Sequence, residues 1–363
     1  MSAEVQGRVG LQQRVLPGYR ATFIDRLAAR CPDGLSVFAG DPRPEEVVVP
    51  APGLETAQWH RGRNLHLFGG ALFLCLQPGL IRWLEDWNPR LLILEANPRY
   101  ISNWDAAAWM RARGRPVLGW GLGVPARSGL GRFAWRRFLK RLNGTIAYSQ
   151  RGAREYTAAG VRADRVWVAP NAVTDSAEAA PDRRTPSEGA PRLIFVGRLQ
   201  RRKRLDVLLA AASGLRPAAE VWIVGDGPAR RELEAEAADR GVSARFHGDV
   251  RGAQLDRLLD QADVFVLPGT GGLAVQQAMA RGLPVIVAEG DGTQEDLVTT
   301  ENGWLVPSGD VEALRQKLQT ALSRRDRLLD MGRASRRLVV QRFNVDAMAD
   351  VFVTALRTAA EDV

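Results

Sequence analysis

The length, composition and charge of the chain point to a protein with two globular domains. With 363 residues, of which 45% are hydrophobic and 25% charged, the chain can bury two separate hydrophobic cores. Its two cysteines, Cys31 and Cys75, lie far apart in apolar surroundings, which excludes a disulfide framework and a thiolate metal site. The N-terminal segment lacks the apolar stretch of a secretory signal, so we expect a cytoplasmic protein.

Short apolar segments alternate with amphipathic helical segments along the whole chain. The predicted strands are Leu91–Leu94, Thr145–Tyr148, Val166–Val168, Leu193–Val196, Val221–Val224, Val264–Leu267 and Val285–Val287. Apolar strands between helices are typical of parallel sheets covered on both faces, so we predict a doubly wound α/β fold. The most apolar run, Leu65–Leu76, is shorter than the roughly 20 residues of a membrane span, and we interpret it as a buried helix.

A basic segment lies in the first half of the chain. No Asp or Glu occurs between Asp105 and Glu155, and Arg127–Arg141 combines arginines with an apolar side that includes Phe133 and Phe138. This composition is typical of a helix at an anionic membrane surface, although ordinary packing of the phenylalanines on a sheet explains it equally well. No nucleic-acid-binding module accompanies the charge, so we expect no nucleic-acid partner.

A segment without apolar periodicity, residues 174–191, divides the chain. It is rich in Pro, Ala, Ser and charge, which predicts a linker between an N-terminal domain, residues 1–173, and a C-terminal domain, residues 192–342. Ligands of open parallel sheets bind beyond the carboxyl ends of the strands. The loops that follow the strands are therefore the places to search for a site.

The loop after the first strand of the second domain brings two cations to the start of a helix. In RLIFVGRLQRRKRLDVLL, Gly197 permits a tight turn, and Arg198 and Lys203 precede a helix that begins near Leu205. A diphosphate placed there would meet a guanidinium, an ammonium and free backbone N–H groups, which suit its charge without a metal. A solvated basic turn explains the segment equally well, because three further arginines crowd it.

A second candidate is the glycine-rich turn after the strand that ends at Leu267. Gly269, Gly271 and Gly272 permit close backbone approach just before a helix that begins near Leu273. This pattern favours an anion-binding turn, but no Walker A lysine follows it, and tight packing alone also produces such turns.

Two further turns fall at the same predicted edge of the second sheet. Asp226 and Gly227 follow one strand, and His247 and Val250 lie in the turn after the next strand. Together these two turns would line a nucleoside pocket, whereas either turn alone is ordinary. No pair of histidines has metal-ligand spacing, so we predict no metal site.

In order, these segments resemble the group 1 family of retaining glycosyltransferases, also called glycosyltransferase family 4. The matching motifs are VGRLQRRKRLDVLL, VWIVGDGPARRELEAEA, FHGDV, LLDQADVFVLPG, GGLAVQQAMARGLPVIV, DGTQEDLV, ENGWLVPSGDVEAL and RFNVDAMADVF, with looser matches in QQRVLPGYR, LEANPRY and LGWGLG. The resemblance implies the GT-B architecture, with two Rossmann-like domains, an active site in the cleft between them, and a last helix, residues 343–363, that crosses back to the first domain.

The resemblance implies metal-independent transfer of a hexose-type sugar from a nucleotide diphosphate sugar, with retention of configuration and no cofactor. Arg198 and Lys203 stand at the positions that bind the donor diphosphate, and Gly272 and Leu273 at those that supply amide N–H groups to it. Cations fixed at the diphosphate favour the transition state, because the departing nucleotide gains negative charge.

The sequence departs from the family pattern at two positions. Members usually carry a Glu-x7-Glu signature whose carboxylates contact the donor sugar and the ribose, and here these positions are Gly269 and Gln277. Gln277 can still hydrogen-bond the ribose, whereas Thr270 or a backbone group must replace the missing carboxylate. The departure leaves open a protein that binds nucleotide sugars without transfer, and an epimerase, which would need acids or imidazoles in the cleft.

The acceptor side is expected in the first domain. We assign Gly18 in QQRVLPGYR, and Glu95 and Asn97 just beyond a buried strand, to this side. The expected acceptor is a polysaccharide, glycolipid or other glycoconjugate. Together with the basic segment, this predicts a cytoplasmic protein that binds peripherally to the inner face of a membrane.

Overall fold

The computed structural model describes residues 4–43, 46, 48–70, 73–125, 129–175 and 189–361, and the chain divides into two compact units. Unit 1 consists of Met1–Val173 and Val345–Val363, and unit 2 of Thr174–Asn344. Most of the predicted linker, residues 176–188, lies outside the described residues. Within the described ranges, no helix is both long and apolar enough to span a bilayer.

Unit 1 contains a parallel sheet with helices on both faces. Its elements, labelled in chain order through the whole molecule, are β1 (Val9–Val15), α1 (Ala21–Ala28), β2 (Leu35–Gly40), β3 (Gln58–Arg61), β4 (Leu65–Leu67), β5 (Leu74–Leu76), α2 (Leu80–Trp87), β6 (Leu91–Glu95), α3 (Ile101–Arg111), β7 (Val117–Gly121), α4 (Gly129–Leu139), β8 (Gly144–Ala147), α5 (Gln150–Ala158), β9 (Val166–Val168) and α12 (Val345–Ala360).

The seven-stranded sheet of unit 1 has the order β3-β2-β1-β6-β7-β8-β9. One face is covered by α1 and α12, where Phe23 and Phe352 meet edge to face at 4.8 Å. The other face is covered by α2 and α3, which bury Trp83 and Met110. The strand order reverses between β1 and β6, which opens a crevice beyond their carboxyl ends.

Unit 2 is a second parallel α/β sheet. Its elements are β10 (Arg192–Val196), α6 (Leu205–Ala212), β11 (Glu220–Val224), α7 (Arg230–Asp239), β12 (Ala244–Gly248), α8 (Gly252–Gln261), β13 (Val264–Leu267), α9 (Leu273–Ala280), β14 (Val285–Ala288), β15 (Gly303–Val306), α10 (Val311–Ser323) and α11 (Arg325–Arg342). The six strands have the order β12-β11-β10-β13-β14-β15. The order reverses between β10 and β13, so the crevice of this sheet lies beyond those two strands.

The predicted fold class, doubly wound α/β in two parts, is confirmed by the two parallel sheets. The helix predicted over Leu65–Leu76 is wrong, because this segment forms the antiparallel hairpin β4–β5. Gly69 and Gly70 stand in its middle, where glycine disfavours a helix by about 1 kcal/mol relative to alanine and permits a turn. The apolar residues flank that turn as two short strands.

Candidate functional site

Two loops meet at the crevice of unit 2, one after β10 and one after β13. The Thr270 N–H donates to the carbonyl of Arg202 at 3.2 Å, and the Arg202 Nη1 lies 3.3 Å from the Thr270 Oγ1. The Lys203 Nζ donates to the Thr270 carbonyl at 2.6 Å. The structure therefore brings together the basic loop and the glycine-rich turn, which the sequence analysis identified separately.

Lys203 is a half-buried cation at this crevice. A 3-10 turn, Arg201–Lys203, ends at Arg204, whose φ of 52° lies in the left-handed region, and α6 begins directly after it. Burial, and to a smaller extent Arg202, lower the pKa of Lys203 to about 8, while Asp291 acts in the opposite direction. Among the residues that the structure describes, this partly desolvated ammonium hydrogen-bonds to one carbonyl alone, and it is well placed to exchange that partner for an anion.

The other arginines of the basic loop divide into two groups. Arg201 pairs with Glu232 at 3.6 Å, and Arg204 pairs with Asp206 at 3.0 Å, so their charges are compensated by exposed carboxylates. Arg198 is half-buried and makes neither a hydrogen bond nor an ion pair with any residue that the structure describes. Within the described part of the chain, Arg198 therefore carries no protein counter-ion, and its contact with a diphosphate stays a prediction.

Gln294, which the sequence analysis did not single out, fixes the glycine-rich turn. Its side chain is fully buried, accepts from the Gly271 N–H at 2.8 Å and donates to the Gly269 carbonyl at 2.9 Å and to the Ala288 carbonyl. The side-chain amide supplies two N–H donors and an acceptor oxygen at once, which a carboxylate or a hydroxyl does not. The DGTQEDLV motif contains this residue, but its sequence does not show which backbone groups the amide meets.

The glycines of this turn are packed against the basic loop. A Cβ at Gly269 would lie 2.4 Å from the Arg202 carbonyl oxygen, and one at Gly271, whose φ is 145°, would lie 2.3 Å from the Lys203 Nζ. The backbone of the basic loop thus occupies the space that a side chain at position 269 would need. Gly272 caps α9 and Leu273 begins it, where N–H groups lack intrahelical partners.

Gln277 lies on α9 with an exposed side chain, one turn beyond Leu273. Its amide is accessible, and its contact with the ribose stays a prediction. Gly269, the other position of the family signature, has no side chain, and the neighbouring backbone leaves no room for one.

The turn after β11 is packed directly on the loop after β10. A Cβ at Gly225 would lie 2.0 Å from the Gly197 carbonyl oxygen, and one at Gly227 would lie 2.4 Å from the Leu199 carbonyl oxygen. Asp226 accepts from the Gly227 N–H at 2.7 Å and from Arg230 at 3.1 Å. Asp226 therefore shapes this turn, and its carboxylate is already engaged.

His247 and Val250 are placed at the edge of the same sheet. The His247 ring packs edge-on against Trp222 with 5.4 Å between ring centroids, and burial, together with Arg245, lowers its pKa. Val250 is half-buried and packs on the core of unit 2. Among the described contacts of His247, none joins it to Lys203 or Thr270.

A polar cluster surrounds Glu95 at the crevice of unit 1. Its side chain is 18% exposed and lies 4.0 Å from the Arg20 guanidinium, which also donates to the Tyr148 hydroxyl at 2.7 Å. Burial raises the pKa of Glu95, whereas Arg20 and Arg14 act in the opposite direction. The sequence analysis named Glu95 but missed Arg20, although it stands in the QQRVLPGYR motif.

Gly18 and Asn97 shape the backbone around this cluster. The Gly18 N–H donates to the Val49 carbonyl at 2.9 Å, and the Asn97 Oδ1 accepts from the Arg99 N–H at 3.1 Å. Beneath them, the buried Gln12 Oε1 accepts from the Glu95 N–H at 3.0 Å and from Asn103 at 2.9 Å. The backbone of Glu95 is thus held at the end of its strand by the Gln12 side chain.

Helix α4, in the basic segment, has exposed arginines and one buried apolar side. Phe138 is buried and lies 5.1 Å from Trp104 of α3, together with buried Trp135 and Leu139, whereas Phe133 is 61% exposed. The prediction that Phe133 and Phe138 share one side is wrong, since five residues correspond to about 140° around a helix. Arg127 lies outside the described residues.

The chain matches known proteins of one family. Residues 176–338 match the family model described as glycosyl transferases group 1. The phosphatidyl-myo-inositol mannosyltransferase of Mycobacterium leprae is 31% identical over 295 residues, which cover 77% of this chain and 76% of that protein. The sulfoquinovosyl transferase SQD2 of Arabidopsis thaliana is 36% identical over 152 residues, which cover 40% of this chain and 29% of that protein, so the chain spans less than a third of this relative.

A solved structure shows the same fold. HepE of Anabaena in complex with UDP superposes with a TM-score of 0.75 at 17% identity, over 97% of this chain and 99% of that one. This likeness agrees with the GT-B class and with two Rossmann-like domains. By the family model and the length of the match to the mannosyltransferase, the chain belongs to the group 1 family of glycosyl transferases.

Proposed function

We propose that this chain transfers a hexose-type sugar from a nucleotide diphosphate sugar to an acceptor hydroxyl, and that unit 2 binds the donor. The observation that carries the proposal is the contact between the loops after β10 and β13, where the Lys203 Nζ lies 2.6 Å from the Thr270 carbonyl oxygen. Arg198 stands on the first of these loops without a protein counter-ion among the described residues. The arrangement supports binding of a diphosphate, which supplies the missing negative charge.

In the proposed reaction, the bond between the anomeric carbon and the phosphate oxygen breaks, and the acceptor oxygen forms a bond to that carbon. The acceptor's proton passes to an oxygen of the departing diphosphate. The departing diphosphate gains negative charge as the bond breaks. Lys203 and Arg198 stabilise this charge, as do the N–H groups of Gly272 and Leu273 at the start of α9. We propose retention of configuration and metal independence as parts of the same hypothesis.

We propose that Thr270 and the backbone near Gly269 contact the donor sugar and that Gln277 contacts the ribose. The space at position 269 is filled by the Arg202 and Lys203 backbone, so a sugar meets peptide groups and the Thr270 hydroxyl there. The related proteins transfer sulfoquinovosyl and mannosyl groups by their names. They therefore support a sugar nucleotide donor without selecting one sugar.

We propose that the acceptor binds at the crevice of unit 1, beside Glu95, and that it is a glycan or a lipid-linked glycoconjugate. The Glu95 N–H donates to Gln12, its carboxylate lies 4.0 Å from the Arg20 guanidinium, and the acceptor hydroxyl donates to this carboxylate in the proposed complex. The name of the mycobacterial relative, a phosphatidyl-myo-inositol mannosyltransferase, agrees with a lipid acceptor.

We further propose that the protein is cytoplasmic and binds peripherally to an anionic membrane through α4. This helix exposes Arg132, Arg136 and Arg137, and each basic residue near an anionic leaflet contributes about 1 kcal/mol. Sedimentation with vesicles tests the proposal. Charge reversal of these arginines to glutamate should abolish binding to anionic vesicles, and unchanged binding would contradict it.

A thermal-shift panel of UDP, GDP, dTDP and ADP sugars tests the proposed function. We expect one of these donors to raise the melting temperature selectively, because a ligand that binds only the folded protein stabilises it. Added EDTA should leave this shift and the sugar transfer unchanged, since arginine and lysine neutralise the diphosphate. No shift with any donor would contradict donor binding, and a shift without transfer or hydrolysis would indicate a nucleotide-sugar-binding protein.

Donor binding is expected to weaken at alkaline pH. A bound diphosphate favours the charged ammonium of Lys203 and so raises its pKa above the value of about 8 in the free protein. Affinity should be full below this value and fall by up to about tenfold per pH unit above it, until the pKa of the complex is reached. Isothermal titration between about pH 6.5 and 9.5 measures this effect.

The matched variant for this experiment is Lys203→Arg, whose guanidinium stays protonated over the whole range. It should bind the donor with little pH dependence. An equally steep loss of affinity in Lys203→Arg and in the unmodified protein would show that another group titrates.

A further inference from the structure

The hairpin β4–β5 of unit 1 has an apolar face that is partly exposed, with Leu74 and Leu76 half-buried. In its register, Leu65 pairs with Leu76 and Leu67 pairs with Leu74, so these four leucines share one face. Leu65 is 41% and Leu67 is 45% exposed, and Phe68 at the turn is 70% exposed. None of the five packs in the hydrophobic clusters that the described residues form. We call these five residues the leucine ribbon.

The opposite face of the hairpin is anchored to unit 1. Cys75 is buried, and its N–H donates to the Arg99 carbonyl at 3.0 Å. The His66 Nε2 lies 3.5 Å from the Arg14 Nη1. The leucine ribbon is therefore the outer surface of a fixed element, and its exposure does not come from a loose chain end.

The charged residues that lie near the leucine ribbon in the sequence are basic. No Asp or Glu occurs between Glu55 and Glu85, and the exposed Arg61 and Arg63 directly precede the hairpin. Apolar side chains with adjacent guanidinium groups suit an anionic lipid leaflet, because the apolar groups enter the acyl region while the cations stay at the headgroups. A symmetric contact between two copies through this face would bring the arginines of both copies into one interface, which is unfavourable.

Strand β5 of the hairpin forms a bridge at Cys75 with Tyr100, just beyond Glu95 in the chain, and α3 contacts both β5 and α4. Strand β5 packs next to α3, whose first turn follows Tyr100. The same helix contacts α4 through Trp104 and Phe138 at 5.1 Å. Two surfaces suited to a membrane, one apolar and one basic, thus flank a single helix of unit 1.

We propose that the leucine ribbon inserts into an anionic lipid surface and docks unit 1 there, with the Glu95 crevice next to the headgroups. The docking is independent of catalysis, and only the conclusion that the acceptor is lipid-borne rests on the proposed function. This assigns a lipid-contacting role to the leucine ribbon, of which Leu65, Leu67 and Phe68 are exposed.

Vesicle sedimentation of the full chain tests the proposal, with vesicles of phosphatidylglycerol and phosphatidylcholine. Phe68→Ser should lower the partition coefficient at least about fivefold, because an aromatic ring no longer leaves water on binding. The double variant Leu65→Ser/Leu67→Ser should do the same. The control is Val340→Ser, on α11 of unit 2, which removes an apolar side chain that is 38% exposed and should leave partitioning unchanged.

Several outcomes would overturn the proposal. These are no sedimentation of the unmodified protein with anionic vesicles, equal binding of Phe68→Ser, or an equal loss in Val340→Ser. Sedimentation equilibrium that shows a dimer lost in Phe68→Ser would assign the leucine ribbon to a second copy instead. A thermal shift with nucleotide sugars on the same samples separates the two hypotheses, since it depends on unit 2 and not on the leucine ribbon.

Discussion

Replacing Lys203 with alanine is expected to lower kcat/KM by about 100-fold or more, because the departing diphosphate loses the cation held at the crevice of unit 2. Within the described ranges, the Lys203 Nζ hydrogen-bonds to the Thr270 carbonyl alone, so the substitution removes one hydrogen bond of the fold. Donor dissociation constants from isothermal titration and initial rates of transfer measure the effect. Arg198→Ala should likewise raise the donor dissociation constant and lower the rate of transfer.

The matched control for these variants is Arg201→Ala. Arg201 lies on the same loop and carries the same charge, but it pairs with Glu232 at 3.6 Å, away from Thr270. It should leave donor affinity and turnover within about twofold of the unmodified protein. Unchanged affinity and turnover in both Lys203→Ala and Arg198→Ala would refute the proposed diphosphate site.

Substituting Gln294 with glutamate is expected to destabilise unit 2 by about 2–4 kcal/mol and to weaken donor binding. The glutamate has the same shape, but its carboxylate would face the Gly269 and Ala288 carbonyls, to which the amide now donates. The glycine-rich turn would then lose its attachment. Thermal unfolding should show a midpoint lower by roughly 5 °C or more.

Gln277→Glu provides the control for this variant, since it makes the same chemical change on the exposed surface of α9. It should leave the midpoint nearly unchanged. It also restores the second carboxylate of the family signature, so donor affinity should be kept or raised. If Gln294→Glu is as stable as Gln277→Glu, the turn does not depend on the buried amide.

Much of the fold could be predicted because its strands are buried on both faces. The predicted strands Leu193–Val196 and Val264–Leu267 agree with the observed Arg192–Val196 and Val264–Leu267 to within one residue. Such strands consist almost wholly of apolar residues and are therefore visible without tertiary information. The hairpin β4–β5 was mistaken for a helix because apolar content alone does not distinguish the two, although Gly69 and Gly70 indicate a turn.

The two loops of the candidate site could be predicted because parallel strands place their carboxyl ends at one edge of a sheet. The residues that support these loops could not. Gln294 acts on Gly269 and Gly271 through a contact between distant parts of the chain. Arg20 meets Glu95 and Tyr148 in the same way. The chemistry of a glutamine or arginine is readable from the sequence, but the backbone groups and side chains that it meets depend on the packed fold.

A crystal structure of the protein with a bound nucleotide diphosphate sugar tests the central claim most directly. The account predicts that the Lys203 Nζ leaves the Thr270 carbonyl, from which it is now 2.6 Å away, and that Lys203 and Arg198 both contact the diphosphate at the start of α9. A donor bound elsewhere, with Lys203 still on Thr270 and Arg198 facing solvent, would contradict it.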